Sequence, residues 1–335
     1  MKKVLLTTSA LVAFAGYAAA DVTFGGEVTV GYNDLDEGGL FLDGSLDITG
    51  TAEFDGGVSV KVTYGLDLYT GNFDDFPTIT VTTPWATLTV GDVEYAAVDM
   101  FNQLDGMELR KLPPWRETWR EVNDEVVARV DVTYGGVMVG VSFDALGDNY
   151  ASNLMSIGAA GEFGAIRFTA GYDEDGHANS KTYGVSVGGS FGGFEVDVAY
   201  MHDTFGPTFD SIGVAASTTL GDIGLAGYYA INNSVPANSV PDAYGVSVDY
   251  ATGPVSVGAY WDGDDSGASN FGVDVGYEVN DNISVAAGWD QGDGVYAYGL
   301  MQVGAATVGA GWAQYSDAGP EEIRNGVSVW MTMPF

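Results

Sequence analysis

Across 335 residues, 46 Asp and Glu stand against 11 Lys and Arg, a formal charge of −35. That balance excludes nucleic acid as a partner, because phosphate backbones are held by Lys and Arg. Cysteine is absent, which removes disulfides and thiol chemistry, while 49 glycines and 13% aromatics suit many short strands joined by tight turns.

The chain opens with the positive pair Lys2-Lys3, continues with an apolar run from Val4 to Gly16, and reaches Ala18-Ala19-Ala20. Residues 1–20 therefore read as an export signal, removed to leave a chain that starts at Asp21. The apolar run is too short for a membrane anchor, and later apolar runs are broken within a few residues by Gly, Asp or Thr. Any bilayer crossing must then use strands closed into a barrel, because an open sheet leaves backbone groups unpaired in lipid.

After Asp21 nearly every segment alternates with period two. Val22, Phe24, Val28, Val30 and Tyr32 share one face, with Thr23, Glu27 and Thr29 on the other. Leu40, Leu42, Leu46 and Ile48 then oppose Asp43, Ser45, Asp47 and Thr49. Repeats of about ten residues match tilted strands crossing a membrane, apolar toward lipid and polar toward a lumen.

Short turns such as Asp55-Gly56-Gly57, Gly135-Gly136 and Gly192-Gly193 alternate with longer polar connections such as 33–39, 173–181 and 262–269. That asymmetry is expected of short periplasmic turns and longer outer loops, and it requires an even number of strands. Aromatics border both kinds of connection, among them Phe54, Tyr134 and Tyr250 at short turns and Tyr172, Trp261 and Trp289 at long ones. Two interfacial girdles are expected from this. The final strand places Val327, Val329, Met331, Met333 and Phe335 on one face.

One connection breaks the rhythm. Between Asp92 and Val126 lie roughly thirty residues, far more than an ordinary loop. Its centre carries Arg110, Lys111, Arg116 and Arg120, four of the nine cations left once Lys2 and Lys3 are removed, with Pro113-Pro114 between them. Asp105, Glu108 and Glu117 lie among them or beside them.

With these features the chain resembles the Gram-negative general porins, most closely the alphaproteobacterial type. The resemblance spans the whole length. It rests on the export signal, the acidic Gly-rich strands, the hairpin from Ile79 to Asp92, the long connection after it and the terminal Phe335. It implies an all-β, antiparallel transmembrane barrel over 21–335, whose third outer loop, 93–124, folds inward and narrows the pore. It also implies trimers of sixteen-stranded barrels in the outer membrane, passing small hydrophilic solutes by diffusion. Lipid and lipopolysaccharide would surround the barrel, the assembly machinery would read Phe335, and a neighbour would be latched near 70–76. The turns, however, number enough for up to twenty strands, and the loop centre is basic where the family's loop is acidic.

Parity against the apolar face puts Asp43, Asp47, Lys61, Arg129, Asp131 and Arg167 on the lumen wall, together with Glu27, Glu53, Asp67, Glu195, Asp197, Asp274 and Glu278. The expected constriction is formed by Arg110, Lys111, Arg116 and Arg120 with Asp105, Glu108 and Glu117. The blander reading is that these bases pin the loop through ion pairs with acids such as Asp131.

No cofactor is required, although the acidic stretches 34–37, 173–175 and 262–265 could hold Ca²⁺. Three rival readings exist. A substrate-specific channel would use lumenal aromatics such as Tyr69, Tyr228 and Trp330. A barrel hydrolase would use His202-Asp203 near Asp210 and Ser211. A structural or adhesin β-protein would need neither, and motifs for metalloprotease, nucleophile-elbow or nucleotide chemistry do not occur.

Overall fold

A computed structural model describes residues 20–35, 39–68, 71, 76–107, 126–145, 154–175, 180–204, 208–234, 241–292, 294–314, 323 and 325–335. The expected export signal, but for Ala20, lies outside the described residues. Alternating β-branched, aromatic and small polar residues suit a pleated sheet with two unlike faces. The first five strands are β1 (Ala20–Asn33), β2 (Leu40–Phe54), β3 (Val58–Asp67), β4 (Thr78–Thr82) and β5 (Ala86–Gly91). A short helix, α1 (Ala96–Met100), precedes β6 (Val127–Tyr134), β7 (Val137–Asp144), β8 (Leu154–Phe163), β9 (Ile166–Asp175) and β10 (Ser180–Phe191). Then come β11 (Phe194–Asp203), β12 (Phe209–Leu220), β13 (Ile223–Ser234), β14 (Ala243–Thr252) and β15 (Val255–Asp264). The last five are β16 (Ser269–Asn280), β17 (Ile283–Asp290), β18 (Gly294–Val303), β19 (Ala306–Ala313) and β20 (Gly326–Pro334).

Every strand pairs antiparallel with its neighbour in sequence, and β20 pairs with β1 through Tyr32 opposite Val329 and Glu27 opposite Pro334. The sheet thus closes into a barrel and leaves no edge among the described strands, which is the condition for crossing lipid. Phe335 completes the seam. Its N–H donates to Gly26 O (2.9 Å) and its carbonyl accepts from Gly26 N–H (3.1 Å). Sixteen strands, implied by the resemblance, is corrected to the twenty that the turns had indicated, with the pore correspondingly wider in circumference.

Register carries one parity around the whole barrel. Val30 sits between Leu42 and Met331 on the outside, while Thr29 sits between Asp43 and Thr332 on the inside. The outward face exposes Phe24, Val130, Val246 and Met331 among many large apolar residues, an apolar band suited to lipid. Two- and three-residue connections hold the short-turn end. Gly192 and Gly193, at φ 61° and 92°, form the turn between β10 and β11, where both central residues need positive φ.

Candidate functional site

The hydrophobic core of this barrel lies inside its lumen, under the third long connection. Residues 93–107 run along the inner wall from β7 toward β14. Ala97, Phe101, Leu104 and Met107 pack there against Ala199, Met201, Phe209 and Ala230 of β11 to β13. The wall beneath is stripped of side chains. Gly140, Gly158, Gly171 and Gly184 lie directly opposite one another across β7, β8, β9 and β10. A Cβ at Gly158 would overlap the Ala96 carbonyl oxygen, and one at Gly184 would stand 2.5 Å from the Phe101 ring. Glycine in a strand interior serves here to let another backbone approach.

Wall side chains also satisfy the ends of α1. Its Ala96 and Ala97 N–H groups donate to Ser142 Oγ and Ser156 Oγ, both at 2.8 Å and both buried. These orphan donors of a helix start are usually capped from the local sequence, but here β7 and β8 supply the acceptors. At the far end Asn232 Nδ2 donates to Gly106 O (2.9 Å), and Ser211 Oγ–H donates to Asn232 Oδ1 (2.6 Å). Tyr228 lies between Gly106 of the loop and Gly245 of β14, and its hydroxyl donates to Asp262 Oδ1 at 2.9 Å.

Arg129, Asp131, Arg167, Lys61, Asp43 and Asp47 take the inward parity of the strand register. Arg129 of β6 is 8% exposed. It donates to Asp131 Oδ1 (2.9 Å), to Glu94 O (3.3 Å) and to the Asp99 carboxylate on α1. Arg129 and Asp131 therefore tie the loop to the wall. Arg167 reaches Glu195 at 3.0 Å and Asp197 at 3.4 Å from a half-exposed position near the short-turn end. Lys61 is exposed opposite Thr51 and Thr80, with no ion pair among the described residues. Asp43 and Asp47 are exposed on β2, and Asp43 accepts its neighbour Gly44's N–H at 2.7 Å. Asp105 stands exposed on the loop beside a wall cavity. Arg110, Lys111, Arg116, Arg120, Glu108 and Glu117 lie outside the described residues, as do Tyr69 and most of the expected latch at 70–76.

Wall carboxylates outnumber wall bases. Glu27, Asp43, Asp47, Glu53, Asp249, Asp274 and Glu278 take inward positions in the register without a described Lys or Arg partner. Among the described residues no three His, Cys, Asp or Glu side chains come together as a metal-ligand set.

Other candidate sites take different forms. His202 faces outward, beside Tyr183, and its Nδ1 lies 2.8 Å from Asp210 Oδ1, which also accepts from Tyr200 O–H at 2.6 Å. Asp203 and Ser211 point inward, so His202-Asp203 is not a dyad and no serine joins His202 on its face. Trp330 does face the lumen, yet it is buried under Ile323, against Phe41 and Leu300, as wall packing rather than an open aromatic track.

A family model described as Gram-negative porin matches residues 7–270. The comparison with curated proteins gives no match. Similar solved structures include mutants of the porin of Rhodopseudomonas blastica. One triple mutant has 13% identity and a TM-score of 0.49, the aligned region covering 94% of this chain and 100% of that one. Another mutant has 14% identity and a TM-score of 0.47 over the same shares.

Proposed function

The chain belongs to the Gram-negative porin family, and on that premise we propose that its outer-membrane channel passes small hydrophilic solutes by diffusion and prefers cations. One observation carries the preference. Of the lumen bases among the described residues, Arg129 is neutralised by Asp99 and Asp131 and Arg167 by Glu195 and Asp197, which leaves Lys61 against Glu27, Asp43, Asp47, Glu53, Asp249, Asp274 and Glu278, none of which has a described Lys or Arg partner. A water-filled passage lined by one sign of charge concentrates counter-ions and repels co-ions. The field reaches into the passage because the Debye length is about 8 Å at physiological salt.

The same reading assigns Arg110, Lys111, Arg116 and Arg120, with Asp105, Glu108 and Glu117, to the constriction. Its support is that Met107 and Val126, which bracket this stretch, are both buried against the barrel. These bases oppose the wall and set how strong the cation preference is. A homotrimer, contact with lipid and lipopolysaccharide, and delivery by the assembly machinery through Phe335 complete the proposal. The exposed apolar band and the seam position of Phe335 favour them.

Liposome swelling tests the diffusion channel. Vesicles containing the protein should swell in small sugars and amino acids at rates that fall smoothly with solute size. Swelling for one solute alone would favour a substrate-specific channel, and no swelling would overturn the reading.

A further inference from the structure

We propose that the lumen holds a subsite for a protonated amino sugar, between the inward loop and the wall of β12 to β15. This rests on the diffusion-channel reading and names a solute class for it. A cavity of about 280 Å³ opens there beside Asp105 of the loop. At about 30 Å³ per water it holds roughly nine waters, room for a molecule of monosaccharide size.

The lining divides into three chemistries. Carboxylates stand around it: Asp105 on the loop, Asp262 on β15, and Asp197 on β11. Asp262 gives only Oδ1 to Tyr228, and Asp105 has no described partner, so both offer oxygens to a ligand. Hydroxyls come from Ser217 and Ser247, and an aromatic ring with a further hydroxyl from Tyr260. The floor is kept low by Ala215 and Ala226.

Each chemistry selects. The carboxylates are not gathered into a metal-ligand set, so a point cation is not what they share. Acceptors spread around a cavity suit a molecule with many donors, namely an ammonium and several hydroxyls. An aromatic face suits the C–H side of a sugar ring and attracts a cation. Arg167, which pairs with the lining Asp197, is also engaged by Glu195, and the described lining holds no Lys or Arg.

The access route is also built. A second cavity, of about 330 Å³, lies on the long-loop side and shares Tyr228 and Asp262 with the first. Asp264, Ser269 and Asn270 line it, so polar partners continue from the mouth inward. Gly245 makes the junction: a Cβ there would overlap both Asp262 Oδ1 and the Tyr228 ring.

The test is single-channel recording of the mature protein in a planar bilayer, at mildly acidic pH where glucosamine is protonated. Glucosamine should interrupt the potassium current in a concentration-dependent way. N-acetylglucosamine lacks the charge and ethylammonium lacks the hydroxyls, and each should block about tenfold more weakly, the equivalent of ~1.4 kcal/mol. Asp105→Asn and Asp262→Asn should each weaken the glucosamine block severalfold, whereas Asp55→Asn in the exposed turn between β2 and β3 should leave it in place. Equal block by all three probes, no block, or block indifferent to Asp105→Asn would overturn the subsite. The reversal potential without sugar reports on the parent reading separately. A cation-preferring channel that glucosamine does not block loses only the subsite, whereas loss of cation preference removes the parent reading.

Discussion

The lumen has two walls of different construction. From β7 to β12 the inward positions that the loop lies against include Gly140, Ser142, Ser156, Gly158, Gly171, Gly184, Ala199 and Gly213. On β2 and β3 the inward positions are Asp43, Asp47, Thr49, Thr51, Glu53, Lys61 and Thr63, facing water. Both are the polar side of an alternating strand. Only the first is shaped to receive backbone, and its charges at Arg167, Glu195 and Asp197 pair with one another, whereas the second presents carboxylates without a described basic partner, so docking and selectivity are weighted to different arcs of one barrel.

Substitutions on the docked wall should act on structure. Gly158→Val places a branched side chain where the Ala96 carbonyl lies, so the loop must lift from the wall. We expect a loss of about 1–3 kcal/mol in stability and a larger, noisier single-channel current, read by thermal unfolding and bilayer recording. An unchanged current would mean that 93–107 does not obstruct the passage. Arg129→Met comes next. It strands Asp99 and Asp131 and should cost about 1–3 kcal/mol with a similar rise in current noise. A Lys replacement should recover part of the stability, because the charge returns without the fork.

Substitutions on the bare wall should act on ions alone. Asp43→Asn with Asp47→Asn should reduce cation preference while the unfolding midpoint stays within about 0.5 kcal/mol of wild type, the usual range for exposed positions. A large stability loss there would dissolve the distinction between the two arcs. The smallest effect is expected from salt. Raising ionic strength from physiological to about 1 M shortens the Debye length to about 3 Å, so cation preference should weaken without any change in fold.

Much of this was legible in the sequence because a strand has a period of two and a closed barrel propagates that parity from strand to strand, broken in the described register between Glu278 and Asn280. Lys61, Arg129 and Arg167 fall inside for the same reason that Phe24 and Met331 fall outside. The strand number was legible in the turns, where Gly-rich pairs demand positive φ, and not in the resemblance, which implied sixteen. That the third loop folds inward was implied by the resemblance, but the wall positions it docks on were not legible. Gly158 opposes Ala96 although the two are far apart in sequence, and Ser142 and Ser156 cap a helix that is remote in sequence. One signal was present: single glycines recurring inside strand interiors, away from any turn, mark close backbone approach. His202 shows the opposite failure. Its sequence neighbour Asp203 points to the other face, and its partner Asp210 comes from the next strand.

The most direct measurement is the reversal potential of the wild-type channel across a potassium chloride gradient. An acidic wall whose described bases are largely paired predicts a potential of the sign given by potassium passing more readily than chloride. A potential of the opposite sign, or one at zero, would contradict the account and hand control to the loop bases.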